Sequence, residues 1–254
     1  MSAIYDQNGF NARFDWGVDG ASELGRTSRV VIVVDLMSFS TAIDVAVSHG
    51  AAAYPCQFAA GASKALALRV GGIETVARRA TTSAQPFSLS PPTMALARPG
   101  MKIIVASPNG AQVSLAAAKS SATVFAGCLR NASAVAKAAL GLGAPIAVIA
   151  AGERWGPTDA LRPAFEDLIG AGAILAALGA ISMSPEARTA LAAFRDAEKD
   201  LSRALTECAS GRELIDRGFE QDVTWASERD VSTAVPILRA GAFVNMVDAS
   251  SGFS

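Results

Sequence analysis

VVIVVDLMSFSTAIDVAV, residues 30–47, is the stretch that decides the fold. Its first five residues, Val30–Val34, are all β-branched and apolar. A continuous apolar run of that length reads as a strand buried on both faces, the pattern of a parallel sheet covered from both sides. Asp35 follows at once, then a turn holding Ser38, Ser40 and Thr41, and from Ala42 to Ser48 apolar residues recur at helical spacing. A charge at the end of a buried strand is costly unless it meets a metal, a cation or hydrogen-bond donors. Asp35 therefore needs a partner.

Working outward, the same alternation returns. Ile103–Val105, Thr123–Phe125 and Ile146–Ile149 read as further strands; Gln112–Lys119, Ser133–Leu140 and Phe165–Leu178 read as helices. Strands alternating with helices predict an α/β fold, with a largely parallel or mixed sheet and helices on both faces, in three layers. The expectation is one unit over residues 1–254, or two closely packed subdomains. Thr81–Pro99 holds Pro86, Pro91, Pro92 and Pro99 and reads as a surface-crossing loop. Ser184–Leu205 is amphipathic and opens on Ser184-Pro185-Glu186, a helix start with Pro at the first position. Residues 249–254, rich in Ser and Gly, read as a frayed tail.

Each strand ends in small, polar or charged residues: Asp35 to Thr41, Ala106-Ser107-Pro108-Asn109-Gly110, Gly127-Cys128-Leu129-Arg130-Asn131, and Ala150-Ala151-Gly152-Glu153-Arg154. In α/β sheets ligands bind beyond the carboxyl ends of the strands, and helix N-termini there favour anions. Ser40, Thr41, Asn131 and Ser133 also read as helix caps, and Asn109-Gly110 as a turn. Asp35, Glu153, Glu166 and Asp167 could converge on the same edge and offer oxygen ligands to Mg²⁺, with Mn²⁺ as the alternative. Glu166 and Asp167 also suit a helix N-terminus electrostatically. Arg130, Arg154 and Arg162 could clamp an anion or pair with those acids.

Composition removes other classes. Lys plus Arg is 22 against 23 for Asp plus Glu, so no charge bias points to nucleic acid or an anionic membrane. The N-terminus has no basic segment followed by an apolar one, and no run reaches the roughly 20 apolar residues of a spanning helix. Cys56, Cys128 and Cys208 are odd in number and widely spaced, which suits reduced thiols in a cytoplasm. His49 is the one histidine and sits at a helix end, a poor place for a triad or a phosphohistidine. Met37 stands where an aspartyl-phosphate phosphatase would need a second Asp. Walker, dinucleotide and zinc patterns are absent.

Val33-Val34-Asp35 with Ser40-Thr41, Asn109-Gly110, Asn131–Ala136, Ala151-Gly152-Glu153, Glu166-Asp167 with Gly170-Ala171-Gly172, and Gly218-Phe219 with Asp222-Val223 follow one another in a set order. That ordered set resembles the 2-phosphosulfolactate phosphatase family over most of the chain. The resemblance implies Mg²⁺-dependent hydrolysis of a phosphate monoester. Asp35 would bind the metal or orient water. Ser40, Thr41 and the Asn109-Gly110 backbone would hold phosphate oxygens. Glu153, Glu166 and Asp167 would complete the metal shell or act as base, and Arg130, Asn131 and Arg154 would contact substrate.

Two departures stand out: Ser38 occupies the place of the family's Arg, and Phe87-Ser88-Leu89-Ser90-Pro91 lacks the family's acid and Asn. They put 2-phosphosulfolactate itself in doubt as the substrate. The expectation is a cytoplasmic homodimer that hydrolyses a small phosphorylated acid or a related monoester. The rival is a non-catalytic anion-binding or regulatory module on the same fold.

Overall fold

A computed structural model describes residues 4–76 and 81–246. In chain order its elements are β1 (Ala12–Trp16), α1 (Gly17–Gly25), β2 (Val30–Val34), α2 (Phe39–Ser48), β3 (Ala52–Cys56), α3 (Ala62–Val70), β4 (Ile73–Glu74), α4 (Pro91–Met94) and β5 (Lys102–Ala106). Then come α5 (Gly110–Ala117), β6 (Thr123–Ala126), a 3₁₀ turn (Leu129–Asn131), α6 (Ala132–Leu142), β7 (Ile146–Ala150), β8 (Glu153–Arg154), β9 (Leu161–Arg162) and α7 (Phe165–Ala177). The chain closes with α8 (Pro185–Ala197), α9 (Leu201–Glu207), α10 (Ala209–Asp216), α11 (Glu220–Ser227), β10 (Pro236–Arg239) and β11 (Ala242–Asn245).

Nine strands form one mixed sheet in the order β1-β7-β2-β6-β10-β11-β3-β5-β4. The β10–β11 hairpin separates two parallel groups, β1-β7-β2-β6 and β3-β5-β4, and pairs antiparallel with both. β2 is buried at every residue, flanked by β6 and β7. Its side chains alternate between two cores because successive strand residues point to opposite faces. Val30, Ile32 and Val34 pack on one face with residues of α6, α7 and α8. Val31 and Val33 pack on the other with residues of α1, α2 and α5. The result is the α/β architecture with helices on both faces that the sequence predicts.

Some elements differ from expectation. β1 (ARFDW) carries Arg13 and Asp15 and was silent to an apolar-run reading; it is an edge strand. β3 contains Pro55, and β10 and β11 are only four residues each. The 81–99 segment is more than a surface loop: α4 lies in it, and Phe87 and Met94 are 1% and 0% exposed within the core. The amphipathic 184–205 stretch is two helices. Ser184 caps α8 by accepting from the Ala187 amide, and Asp200 caps α9 by accepting from Arg203. The expected frayed tail, 249–254, lies outside the described residues. No helix among the described residues is long and apolar enough to cross a membrane.

β5 belongs to the group whose strands run opposite to β2, so a flat sheet would put their carboxyl ends on opposite edges. Five pairings separate them. The β5–α5 turn nonetheless reaches the end of β2, where the Gly110 amide bonds a carboxylate at 2.7 Å. There it meets Asp35.

Candidate active site

Asp35 sits where β2 stops, 6% exposed, with its carboxylate at two helix N-termini. Oδ2 accepts from the Gly110 amide of α5 at 2.7 Å and from the Ser107 hydroxyl at 3.4 Å. Oδ1 accepts from the Phe39 amide of α2 at 3.3 Å. Unpaired N–H groups and the partial positive charge of helix starts suit an anion, and here the anion is a side chain of the protein. Gly110 is required: a Cβ there would lie 2.4 Å from Phe39 Cδ1 and 2.6 Å from Asp35 Oδ2. The Gly110 amide is thus bonded to Asp35 rather than open to a phosphate.

Ser40 and Thr41 are both fully buried. The Ser40 hydroxyl donates to the Val33 carbonyl and accepts from the Asp35 amide; the Thr41 hydroxyl donates to the Leu36 carbonyl. They brace the strand-to-helix turn behind Asp35, with both hydroxyls bonded to backbone. Ser38 precedes the first residue of α2 and is 5% exposed. Asn131, also buried, closes its own turn by accepting from the Cys128 amide at 2.9 Å.

Arg130 points elsewhere as well. It bonds Asp44 of α2 at 3.1 Å, pairs with Glu228, and lies 5.0 Å over the Trp225 ring. Asp44 is fully buried and also accepts from Ser232 at 2.7 Å. Arg130 therefore ties the 3₁₀ turn to α2 and to α11, and its guanidinium is engaged in that tie.

The other acids do gather near Asp35. Glu153 opens the β8–β9 hairpin, half-buried, and its Oε2 accepts from Asn109 Nδ2 at 2.9 Å. Glu166 and Asp167, both 2% exposed, occupy the first turn of α7. Asp167 Oδ1 accepts from the Leu36 amide at 2.7 Å and Oδ2 from the Gly152 amide at 2.8 Å. Burial pushes the Asp35 carboxyl up to about 6, with the Glu166 charge adding to the rise and the amide bonds opposing it. Burial, then the charges of Asp35 and Glu166, push Glu153 to about 7. Asp167 is raised well above the usual range by burial and by Asp35 and Glu166. Each acid thus feels its neighbours. Among the described residues, no three His, Cys, Asp or Glu side chains already stand in a metal-holding group.

A cavity of about 980 Å³ opens beside this cluster, lined by Asp15, Trp16, Asn109, Ala151, Arg154 and Leu161 among others. Asp35 does not line it; Asn109, which bonds Glu153, is the link. Arg154 reaches the cavity wall while bonded to Asp159. Arg162 pairs across the hairpin with Glu153, and its charge lowers the proton affinity of that carboxyl. Ser107 stands in the strand-end stretch that the sequence singles out, but its bond to Asp35 has no local signal.

The sequence model of the 2-phosphosulpholactate phosphatase family matches residues 19–241. The chain belongs to that family. The 2-phosphosulfolactate phosphatase of Methanothermobacter thermautotrophicus is 28% identical over 214 residues, covering 84% of this chain and 88% of that protein. A probable 2-phosphosulfolactate phosphatase of Deinococcus radiodurans is 28% identical over 219 residues, with the same coverage of each. A probable one from Thermus thermophilus is 33% identical over 144 residues, 55% of this chain and 58% of that protein. The matched span includes the positions of Asp35, Asn109, Gly110, Glu153, Glu166 and Asp167.

Proposed function

We propose that the protein is a Mg²⁺-dependent phosphatase acting on a phosphate monoester of a small acid or a related compound. The observation that carries this reading is the convergence of Asp35, Glu153, Glu166 and Asp167 at the ends of β2, β7 and α7, in a chain of the phosphatase family.

The cluster fits a hard divalent cation in donor type and in charge. Its donors are carboxylate oxygens, with the Cys208 thiol touching Glu166 at 3.7 Å, and the mutual repulsion of the acids is what a nearby double positive charge would offset. Asp35 and Glu153 would hold the ion; Mn²⁺ has the same preference for oxygen. A cation there would polarise a phosphoryl oxygen and neutralise charge on the transferring group.

The chain's own residues supply the rest. Glu153, whose Oε1 makes no hydrogen bond among the described residues, suits the acceptance of a proton from water. Asn109 holds its other oxygen in place. Arg162 and Arg154, on the same hairpin, offer positive charge for the phosphate. The cavity lined by Trp16 and Leu161 gives room for the leaving group. Because Ser38 is buried where the resemblance expects an Arg, 2-phosphosulfolactate is the poorer candidate among small phosphate esters.

Phosphate release from a panel of phosphate monoesters, with Mg²⁺ and with EDTA, tests the reading. Release that needs the metal is expected. Turnover unaffected by exhaustive EDTA treatment removes the metal from the proposal, and no release from any ester removes the phosphatase.

A further inference from the structure

Asp167 makes a contact no other member of the cluster makes: it bonds the backbone on both sides of the site. Oδ1 takes the amide of Leu36, the residue after Asp35, at 2.7 Å. Oδ2 takes the amide of Gly152, the residue before Glu153, at 2.8 Å. These are the ends of β2 and β7, strands already paired from Val30 to Val34 with Ile146 to Ala150. Beyond Ala150 the ladder closes with Ala151 donating to the Val34 carbonyl at 2.7 Å. Past that bond Asp167 ties the backbone of the two diverging chains, while Asn109 and Gly110 tie the acids themselves, at Glu153 Oε2 and Asp35 Oδ2.

The chemistry of the link is specific. Two amides face one side chain, and both are donors, so the side chain must accept twice. A carboxylate does so; an amide side chain offers one acceptor and turns its NH₂ against the second N–H. Position matters as well. Asp167 lies in the first turn of α7, whose Ile169, Ala171 and Ile174 are buried in the core against β2 and β7, so the carboxylate is anchored from behind. Gly152, which it holds, has φ +70 and no room for a Cβ, which would stand 2.7 Å from Leu161 Cδ1. The backbone there is held from both sides.

We propose that Asp167 is a positioning residue: it sets the separation of Asp35 and Glu153 by gripping the amide next to each, and it does not itself touch substrate. The assignment rests on the proposed phosphatase reading only for its consequence on turnover. The grip itself is measurable in a protein that turns over nothing.

Two readouts are therefore taken on the full chain, wild type, Asp167→Asn and Asp167→Glu. The first is amide hydrogen exchange at Leu36 and Gly152. In Asp167→Asn at least one of these amides loses protection by tenfold or more; Asp167→Glu, which keeps two acceptors, retains more of it. The second is steady-state kinetics on whichever monoester the wild type hydrolyses best, with Mg²⁺ titrated. Asp167→Asn lowers kcat about 10- to 100-fold with KM within threefold, the half-activating Mg²⁺ concentration rises, and Asp167→Glu partly restores both. Unchanged exchange at both amides in Asp167→Asn overturns the proposal. So does abolished turnover in a variant whose two amides stay protected, which would place Asp167 in the chemistry. Absence of turnover in the wild type defeats the phosphatase reading and leaves the exchange result to decide the grip.

Discussion

The amide of Gly110 donates to Oδ2 of Asp35 at 2.7 Å across 75 residues of sequence, and a methyl group on Gly110 would stand 2.6 Å from that same oxygen. One contact thus joins the two parallel groups of the sheet and places the central carboxylate. The close approach is possible because residue 110 has no side chain.

Gly110→Ala is therefore expected to destabilise the fold by about 1–3 kcal/mol, the range for forcing a methyl into a packed site. It should also displace Asp35. Urea denaturation measures the first effect and specific activity the second. A stability within about 0.5 kcal/mol of wild type, the usual span for an unconstrained surface position, would refute the close contact.

Asp35→Asn is expected to cut turnover by at least about 10²-fold, the low end for a positioned acid–base group. The amide keeps one acceptor for Gly110 or Phe39 and removes a buried charge from a repelling cluster, so the fold should survive. Circular dichroism and a melting curve check that survival. A purely structural Asp35 would give the reverse pattern, a lower melting temperature with specific activity near normal.

The raised carboxyls make stability depend on pH with a definite sign. Asp35 at about 6 and Glu153 at about 7 hold protons in the fold that the unfolded chain, with carboxyls near 4, has released. Between about pH 4 and 7 the native state binds more protons, so unfolding free energy falls as pH rises through that window. In EDTA, the melting temperature should be higher at pH 5.5 than at pH 8. Mg²⁺ added at pH 8 should recover part of the difference, since a ligand that binds only the native state stabilises it. A melting temperature that rises from pH 5.5 to pH 8 in EDTA would contradict the clustering of these acids.

Arg130→Ala should act on stability and leave the substrate constant alone. Its partner Asp44 is fully buried, and removing one member of a buried pair strands the other at a cost of about 3–5 kcal/mol. Denaturation and KM on the same preparation separate the two roles. A tenfold rise in KM with stability unchanged would restore Arg130 to the substrate.

Much of the fold could be read along the chain. Val30–Val34 and the strands at 103–105, 123–125 and 146–149 all lie within observed strands, because a strand buried on both faces leaves an uninterrupted apolar run. The helices after them announced themselves by period, though α2 begins at Phe39 rather than Ala42. The positions of Asp35, Glu153, Glu166 and Asp167 were equally legible, since a charge set directly after an apolar run, or at the start of a helix that follows one, must lie at the sheet's edge. What those groups bond was not. A serine after a strand has the same local signature whether its hydroxyl faces a ligand, as was expected of Ser40, or the Val33 carbonyl, as it does. Arg130 finds Asp44 86 positions away, and Gly110 finds Asp35 75 positions away. Period and polarity are local and survive in one dimension. Hydrogen-bond partners are chosen by which surfaces the packed layers bring together, and that choice exists only once the layers have packed.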